Sequence, residues 1–328
     1  MDLPNLSIAS LGGTVSMQAR VFGEGVVPAV SGATLLASVP ELRTLARVTV
    51  ETLQLLPSAS LSFEHLLSVL RWANTQIELG AVAVVLTQGT DTLEESAAFF
   101  DLLWDHDQPL VLTGAMRSAA QAGADGPGNL LDACQVGLAE NSWRRGVQVV
   151  MNGQIHSAQA VRKTDSMALQ AFSSPVVGPA GLLLEGAVHY FHPPRQRHVL
   201  PVPQRSTHKV ALLQASLSAD SLLLESIPAL GYDGLVIAGF GAGHVSETWA
   251  EAIDAIARKI PVIVATRCGS GSTARSTYGF KGGEMDLVQR GASMAGFVCP
   301  RKSRILLWLL LGCQRQDDLA RYLRLLQY

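Results

Sequence analysis

The sequence predicts an α/β fold: an open, mostly parallel, doubly wound N-terminal sheet followed by a second, smaller α/β C-terminal domain. Two observations lead to this prediction. Short apolar runs alternate with amphipathic segments along the first half of the chain, which is the pattern of a parallel sheet covered by helices. The chain of 328 residues is also longer than one compact core usually holds, so two domains are expected.

Five short apolar runs in the first half of the chain predict the strands of the larger sheet. They lie at 6–11, 48–55, 81–87, 110–113 and 147–151. Two other stretches carry apolar residues at three- and four-residue steps, which is the buried face of an amphipathic helix. One stripe is Leu35, Leu36, Val39, Leu42 and Leu45, and the other is Phe63, Leu66, Leu67, Leu70, Ala73 and Ile77.

A further helix is predicted after the third strand. Thr92 and Glu95 have the spacing of a capping box, in which each side chain accepts from the exposed backbone N–H of the other residue. The helix that follows is expected from about residue 93 to 106.

A proline-rich and basic stretch at 191–208 predicts a linker, because proline continues neither a helix nor a central strand. The predicted domains are therefore 1–190, carrying the candidate site, and 209–328. In the second domain, strands are expected at 210–214, 234–238 and 262–265, with helices near 221–230, 246–258 and 303–311.

The composition favours a well-buried α/β protein over a disordered one. Apolar residues make up 48% of the chain and charged residues 16%, and the net charge is −2 without long blocks of one sign. This balance gives no electrostatic reason to expect nucleic acid or a membrane as a partner. The most apolar stretch, 305–311, is too short to span a bilayer.

Cysteine and histidine usage bears on location and cofactors. The four cysteines, at 134, 268, 299 and 313, form no CxxC pair, which is typical of reduced thiols in a cytoplasmic protein. The N-terminus lacks the basic start and apolar core of a signal peptide, so a cytoplasmic location is expected. No two histidines stand at metal-ligand spacing beside carboxylates, and we expect neither a metal ion nor another cofactor.

Polar segments follow the predicted strands at the edge where an open parallel sheet binds its ligands. They are Gly12-Gly13-Thr14, Pro57-Ser58-Ala59-Ser60, Gln88-Gly89-Thr90-Asp91-Thr92, Gly114-Ala115-Met116-Arg117 and, after the fifth strand, Arg162-Lys163-Thr164. Nucleophilic attack by a threonine needs a hydroxyl, a base and a group that holds the base, and this edge offers all three. Thr90 and Asp91 also precede a helix, whose free N–H groups favour a substrate carboxylate.

Each of these residues also has a purely structural interpretation. Gly-Gly-Thr after a strand is commonly a tight turn, Asp91 is a suitable helix N-cap, and Lys163 can be a solvated surface residue. Lysine is nevertheless notable here, because only five of the 25 basic residues are lysine and only lysine readily loses its proton when buried. Arg117 and Asp125 are interpreted as a loop clamp or a subunit contact.

Taken together, the segments resemble those of the bacterial L-asparaginase family. Leu11-Gly12-Gly13-Thr14-Val15 is similar to the family's first signature, and 87–95, with the sequence Thr-Gln-Gly-Thr-Asp-Thr-Leu-Glu-Glu, is similar to the second. Segments 113–117, 123–127 and 161–164 also look like family segments in the right order. The resemblance covers nearly the whole chain and is strongest before residue 175.

The resemblance implies an amidohydrolase that converts a small amino-acid amide to its acid and ammonia. Thr14 would be the nucleophile, and Thr90, Asp91 and Lys163 would form a second hydroxyl–carboxylate–amine relay. The substrate would be held by Ser58, Asp91 and the position of Ala59, with backbone groups of Gly13, Gly89 and Ala115 lining the pocket. It further implies a homo-oligomer, a dimer or tetramer, with sites at the seam between subunits.

The chain departs from the family pattern at three places. No tyrosine precedes Tyr190, so the loop after Thr14 carries Phe22 where relatives have an assisting tyrosine. Ala59 stands where glutamine or glutamate is frequent. The residues that a neighbouring subunit contributes are not recognisable at 214–216 or 277–284, although Tyr-Gly-x-x-Gly-Gly occurs in some relatives.

Four functions remain open at this point. The first is hydrolysis of L-asparagine. The second is another task on the same fold, either glutaminase-asparaginase activity or a part in a tRNA-dependent amidotransferase, whose extra N-terminal domain is not expected here. The third is a substrate-binding or sensing protein with a degenerate site. The fourth is nucleotide binding through 239–244, where the third glycine of a dinucleotide fingerprint is displaced, so that a strand-to-helix turn is the preferred interpretation.

Overall fold

The computed structural model describes residues 2–13, 17–19, 26–28 and 32–327. The chain divides into two compact units, residues 1–199 and 200–328. The boundary between the units falls inside the stretch 191–208 that the sequence analysis assigns to a linker. Thr14 and Phe22 lie outside the described residues.

The N-terminal unit contains a large sheet, two small strand pairs and flanking helices. Its strands are β1 (Asn5–Ser10), β2 (Met17–Ala19), β3 (Val26–Pro28), β4 (Arg47–Thr52), β5 (Ala83–Thr87), β6 (Leu110–Thr113), β7 (Val147–Met151), β8 (Gln154–Ser157), β9 (Arg162–Lys163), β10 (Phe172–Ser173), β11 (Gly181–Leu184) and β12 (Ala187–Tyr190). Its helices are α1 (Gly32–Ala37), α2 (Leu42–Leu45), α3 (Phe63–Glu78), α4 (Leu93–Asp101) and α5 (Gly126–Leu138).

Within the described part of this unit, eight strands form one sheet in the order β12-β11-β8-β7-β6-β5-β1-β4. The strands from β4 to β7 along this order are parallel, and β8, β11 and β12 join antiparallel. The change of direction occurs at Asn152 and Gly153, which both adopt positive φ, as a two-residue hairpin between β7 and β8 requires. The parallel strands therefore end at one common edge.

Helices cover both faces of the sheet. Side chains on alternate positions of the central strands, such as Ile8 and Val85, share a core cluster with Leu130 and Ala133 of α5 and with Leu42 of α2. Because strand side chains alternate in direction, the intervening buried positions face the other side, where α3 contacts β5 and α4 contacts β6 and β7. The doubly wound arrangement confirms the predicted fold class.

Two helices differ from their prediction in extent. The single apolar stripe across 35–45 forms two short helices, because Pro40 between them has no N–H to donate and its ring obstructs the preceding turn. Helix α4 ends at Asp101 instead of continuing to His106. There the Arg197 guanidinium donates to the carbonyl oxygens of Asp101 and Trp104, and the chain turns inward to bury the Trp104 side chain completely.

The predicted capping box at Thr92 and Glu95 is wrong. Thr92 does occupy the N-cap position of α4, but its side chain makes no capping hydrogen bond. The Thr92 hydroxyl donates to the carbonyl oxygen of Ser58 at 3.0 Å and accepts from Nε2 of Gln88 at 3.2 Å. A bond to a distant segment has thus replaced the local one.

The C-terminal unit is a smaller α/β layer structure. Its strands β13 (Val210–Gln214), β14 (Gly234–Gly239), β15 (Val262–Thr266) and β16 (Ser293–Met294) pair in this order and are all parallel. Its helices are α6 (Leu222–Ser226), α7 (Glu247–Ala257), α8 (Glu284–Gln289), α9 (Pro300–Gly312) and α10 (Leu319–Leu325). Helix α6 is shorter than the predicted 221–230, since Pro228 cannot supply the N–H that continuation needs.

The glycine-rich segment after β14 forms a turn. Phe240 and His244 make an isolated bridge across it, and α7 begins only at Glu247, after an N-cap at Ser246. A dinucleotide fingerprint opens its helix within the glycine motif, so this geometry favours the strand-to-helix turn over nucleotide binding. In the part of the chain that the structure covers, no helix is long and apolar enough to cross a membrane.

Candidate active site

The predicted polar segments meet at the common carboxyl edge of the parallel strands. Gly12 and Gly13 follow β1, Ser58 follows β4, Gly89 to Asp91 follow β5, and Gly114 with Ala115 follows β6. Strands β1 and β5 are neighbours in the sheet, with Ser10 opposite Thr87, so the segments that leave them start side by side.

The closest approach at this edge is between Gly13 and Gly89. A Cβ atom built on Gly13 would lie 2.1 Å from both N and Cα of Gly89, and Gly13 adopts a φ of +83°. Both conditions exclude a side chain, because L residues rarely adopt this φ and backbone atoms cannot move aside cheaply. The two main chains therefore touch at Gly13, the residue that precedes Thr14 in the sequence.

The Ser58 side chain also packs against Gly89. A Cβ atom on Gly89 would lie 2.8 Å from Oγ of Ser58, so the serine hydroxyl is next to the Gly89 backbone. The Ser58 residue is only 3% exposed, and its carbonyl oxygen accepts from the Thr92 hydroxyl. The three segments after β1, β4 and β5 thus pack directly against one another.

Lys163 contacts the segment after β5 from the long connection that follows β8. Its Nζ donates to Oγ1 of Thr90 at 3.0 Å and to Oδ1 of Asp91 at 3.0 Å. The Lys163 side chain is 16% exposed and that of Asp91 is 67% exposed, whereas Thr90 is 6% exposed. An amine, a hydroxyl and a carboxylate are therefore in contact, with the hydroxyl on the buried side.

This arrangement is able to move a proton. A neutral lysine amine can accept the proton of the Thr90 hydroxyl across one hydrogen bond, and the Asp91 carboxylate favours the ammonium that results. The structure brings together Thr90, Asp91 and Lys163 as the sequence analysis placed them. Their catalytic roles are taken up below as a proposal.

The other two predicted positions, Ala115 and Ala59, differ in how exposed they are. Ala115 is fully buried and its methyl group belongs to the sheet core, so only its backbone is available to a pocket. The preceding Gly114 lies against Thr90, with the Cγ2 atom of Thr90 3.2 Å from the place of a Cβ. Ala59 is exposed on the short 3₁₀ turn Ser58–Ser60.

The loop after β6 is fixed by two side chains, of which the sequence analysis found one. The Asp125 carboxylate accepts from the backbone N–H groups of Met116 and Arg117, so it is the loop clamp that was expected. Asn129 was missed. It is buried, its Nδ2 donates to the carbonyl oxygen of Gly114 at 3.0 Å, and its Oδ1 accepts from the N–H of Asn152 at 2.9 Å. No spacing in the sequence singles out this residue.

A second group of polar and aromatic side chains lies in the C-terminal unit. The Glu284 carboxylate is fully buried, accepts from the N–H groups of Thr277 and Tyr278, and lies 3.6 Å from Nε2 of His244. Burial raises the pKa of Glu284, but the backbone N–H donors outweigh it and leave that pKa below its ordinary value. The carboxylate is therefore ionised at neutral pH and orders the loop that precedes α8.

Among residues 2–13, 17–19, 26–28 and 32–327, no three His, Cys, Asp or Glu side chains lie close enough together to hold a metal ion.

Both units of the chain match known protein families. Residues 5–196 match the family model described as "Asparaginase, N-terminal", and residues 209–323 match that of the "Glutaminase/Asparaginase C-terminal domain". The chain is 34% identical over 318 residues to the "Probable L-asparaginase periplasmic" of Haemophilus influenzae, covering 94% of this chain and 89% of that protein. It is 36% identical over 325 residues to the "Probable L-asparaginase" of Deinococcus radiodurans, covering 96% of each.

A solved structure agrees with these matches. The probable cytoplasmic L-asparaginase from Campylobacter jejuni superposes with a TM-score of 0.90 at 29% sequence identity, covering 98% of this chain and 99% of that one. The fold and the matches define the chain as an amidohydrolase. It belongs to the asparaginase family, as both of its units show.

The Gly13–Gly89 contact leads to a prediction on stability. Gly13→Ala is expected to lower the free energy of unfolding by about 3 kcal/mol or more, because it adds backbone strain of about 1–3 kcal/mol and a clash with the backbone of Gly89. The matched control is Gly178→Ala, which has the same left-handed conformation, φ +73°, but open space around its Cβ. Urea denaturation measures both. Equal losses in the two variants would contradict the close contact.

Proposed function

We propose that the protein hydrolyses the side-chain amide of L-asparagine to aspartate and ammonia, with Thr14 as the nucleophile. The observation that carries the proposal is the contact of Lys163 with Thr90 and Asp91, beside the Gly13–Gly89 approach. Thr14 follows Gly13 directly in sequence. The family membership and the names of the relatives support the same substrate class.

The reaction has two steps. The Thr14 Oγ attacks the amide carbon, its proton passes to the leaving nitrogen, and the C–N bond breaks to release ammonia and leave an ester on Thr14. A water molecule then attacks the ester carbon, gives one proton back to the Thr14 oxygen and releases the free acid. Backbone N–H groups near Thr14 and Thr90 stabilise the oxyanion that develops in each step.

Lys163, Thr90 and Asp91 act in this scheme as the proton relay. The Lys163 amine takes a proton through the Thr90 hydroxyl when the nucleophile or the water is activated, and returns it when the leaving group departs. Asp91 stabilises the ammonium form of Lys163. Its partly exposed carboxylate also binds the substrate's amino group, and Ser58 binds the substrate's carboxylate.

Glutaminase-asparaginase activity is the second candidate. The description of the family matched at 209–323 names both substrates. Ala59 does not decide between the two substrates, because its exposed methyl group offers no polar partner to the amino group that both amino acids carry.

The test is ammonia release from L-asparagine, L-glutamine and simple amides. Thr14→Ala is expected to abolish turnover of the preferred amide, and Lys163→Met to lower kcat by about 10²–10⁴-fold, since general acid–base groups contribute that much. The control is Lys259→Met, which removes an exposed lysine at the end of α7. Unchanged turnover in Lys163→Met would refute the relay, and tight binding of an amide without any turnover would favour a sensing protein.

We also propose that the chain forms a homo-oligomer, a dimer or tetramer, with active sites at a subunit seam. Large apolar side chains exposed on the C-terminal unit support an interface: Leu217 is 92% exposed, Leu222 70%, Leu223 58% and Leu230 56%. Sedimentation velocity at micromolar concentration is expected to give a species of two or four 34.9-kDa chains. A stable monomer with full activity would refute the seam.

A cytoplasmic location is proposed from the thiols. None of the four cysteines, all of which lie among the described residues, is in a disulfide, and Cys268 is exposed, a state that a reducing compartment maintains. The named relatives include one periplasmic and one cytoplasmic protein. Fractionation of cells that express the protein at its natural level is expected to place its activity with cytoplasmic markers. Release with the periplasmic fraction would show the opposite.

A further inference from the structure

The lysine of the proposed relay is held at two points. Besides the contacts of its Nζ, its backbone N–H donates to Oε2 of Glu94 at 2.7 Å. Strand β9, which carries Lys163, has two residues and pairs with β10 on one side. The Glu94 side chain therefore supplies the hydrogen-bond acceptor that the backbone of a neighbouring strand would supply in a wider sheet.

Glu94 is well suited to this contact. It is the second residue of α4 and is 2% exposed, although a buried carboxylate is costly unless it is hydrogen-bonded. The first turn of a helix is the place where a negative charge is best tolerated, because the free N–H groups there carry partial positive charge. A carboxylate also makes a stronger hydrogen bond to an N–H than a neutral acceptor does.

The hydrogen bonds that Lys163 makes to side chains come from one short segment. Thr90 and Asp91 bind the Nζ, and Glu94, one turn further along the same chain, binds the backbone of the same residue. The flexible stem between these two anchors is thus fixed at its base and at its tip. The segments are far apart in sequence, 69 residues for the Glu94 contact.

We propose that Glu94 is the positioning residue for Lys163, setting the distance between the amine and the Thr90 hydroxyl. This inference rests on the proposed function, since it assigns Glu94 a purpose in the relay. Glu94 does not touch substrate in this scheme and acts only through Lys163. Its removal leaves the Lys163 backbone N–H without this acceptor on the side opposite β10, and misplacement of a reacting group by about 1 Å can lower a rate about 10²-fold.

The experiment compares three substitutions at this position. Glu94→Ala and Glu94→Leu remove the acceptor, and they are expected to lower kcat about 10- to 100-fold while KM stays within about threefold. Glu94→Gln keeps an acceptor oxygen and is expected to stay within about fivefold of the wild-type kcat. Glu95→Ala, which removes the other acid of the same turn, is the matched control and should leave kcat near wild type. All assays are run below the measured Tm of each variant.

Hydrogen exchange of the Lys163 amide gives a readout that does not depend on activity. Exchange is expected to accelerate in Glu94→Ala and Glu94→Leu and to remain slow in Glu94→Gln and Glu95→Ala. Faster exchange with kcat within threefold of wild type would overturn the positioning role, as would unchanged exchange. If Glu94→Ala does not fold, Glu94→Leu and Glu94→Gln decide the question.

Failure of the proposed function is distinguishable from failure of this inference. A wild-type protein that hydrolyses no amide overturns both the function and the role of Glu94, and the exchange data then show only whether the hydrogen bond forms. A wild-type protein that is active, with Glu94→Leu equally active, overturns the role of Glu94 alone.

Discussion

The candidate site depends on the close approach of two main chains, at Gly13 and Gly89. The approach is possible because β1 and β5 are neighbouring parallel strands and because both positions lack a side chain. It brings Gly13 next to the segment that holds Thr90. The Ser58 hydroxyl packs on the same glycine, and the Thr92 hydroxyl ties the Ser58 carbonyl to the start of α4. Hydroxyls from two strand ends, those of β4 and β5, are thereby fixed by backbone contacts.

Lys163 is attached to these segments by an ion pair and a hydrogen bond to side chains. Its ion pair with Asp91 is half open to water, since the Asp91 side chain is 67% exposed, and such pairs contribute about 0–1 kcal/mol to stability. The pair is therefore a poor explanation for the folding of the long excursion that carries the lysine. The hydrogen bond from the Lys163 backbone to the buried Glu94 carboxylate is the stronger anchor. The backbone of Lys163 thus contributes more to holding this segment than its amine does.

The sequence predicts local structure well and long-range polar contacts poorly. Strands β6 and β7 begin and end at the predicted residues, because their apolar runs are buried and bounded by turn residues. Strand β13 also has the predicted bounds. The Asn152-Gly153 pair at the hairpin between β7 and β8 is a turn signal in the sequence. The capping box failed because the partner of Thr92 is Ser58, 34 residues away. Asn129 and Glu94 could not be found at all, since each acts through a backbone group on a distant segment.

The exposure of the site residues connects the proposed chemistry to the proposed assembly. Thr90 and Ser58 are buried, so their hydroxyls are shielded from water, whereas the Asp91 side chain and Ala59 face water. An ion pair between the Asp91 carboxylate and a substrate ammonium is weak in water, about 1 kcal/mol at 4 Å, and several times stronger where water is displaced. Tight recognition of a zwitterionic amino acid therefore needs another surface to cover this side. A second copy of the chain, placed at the site by a subunit seam, would provide one, and substrate affinity would then depend on assembly while the relay itself would not.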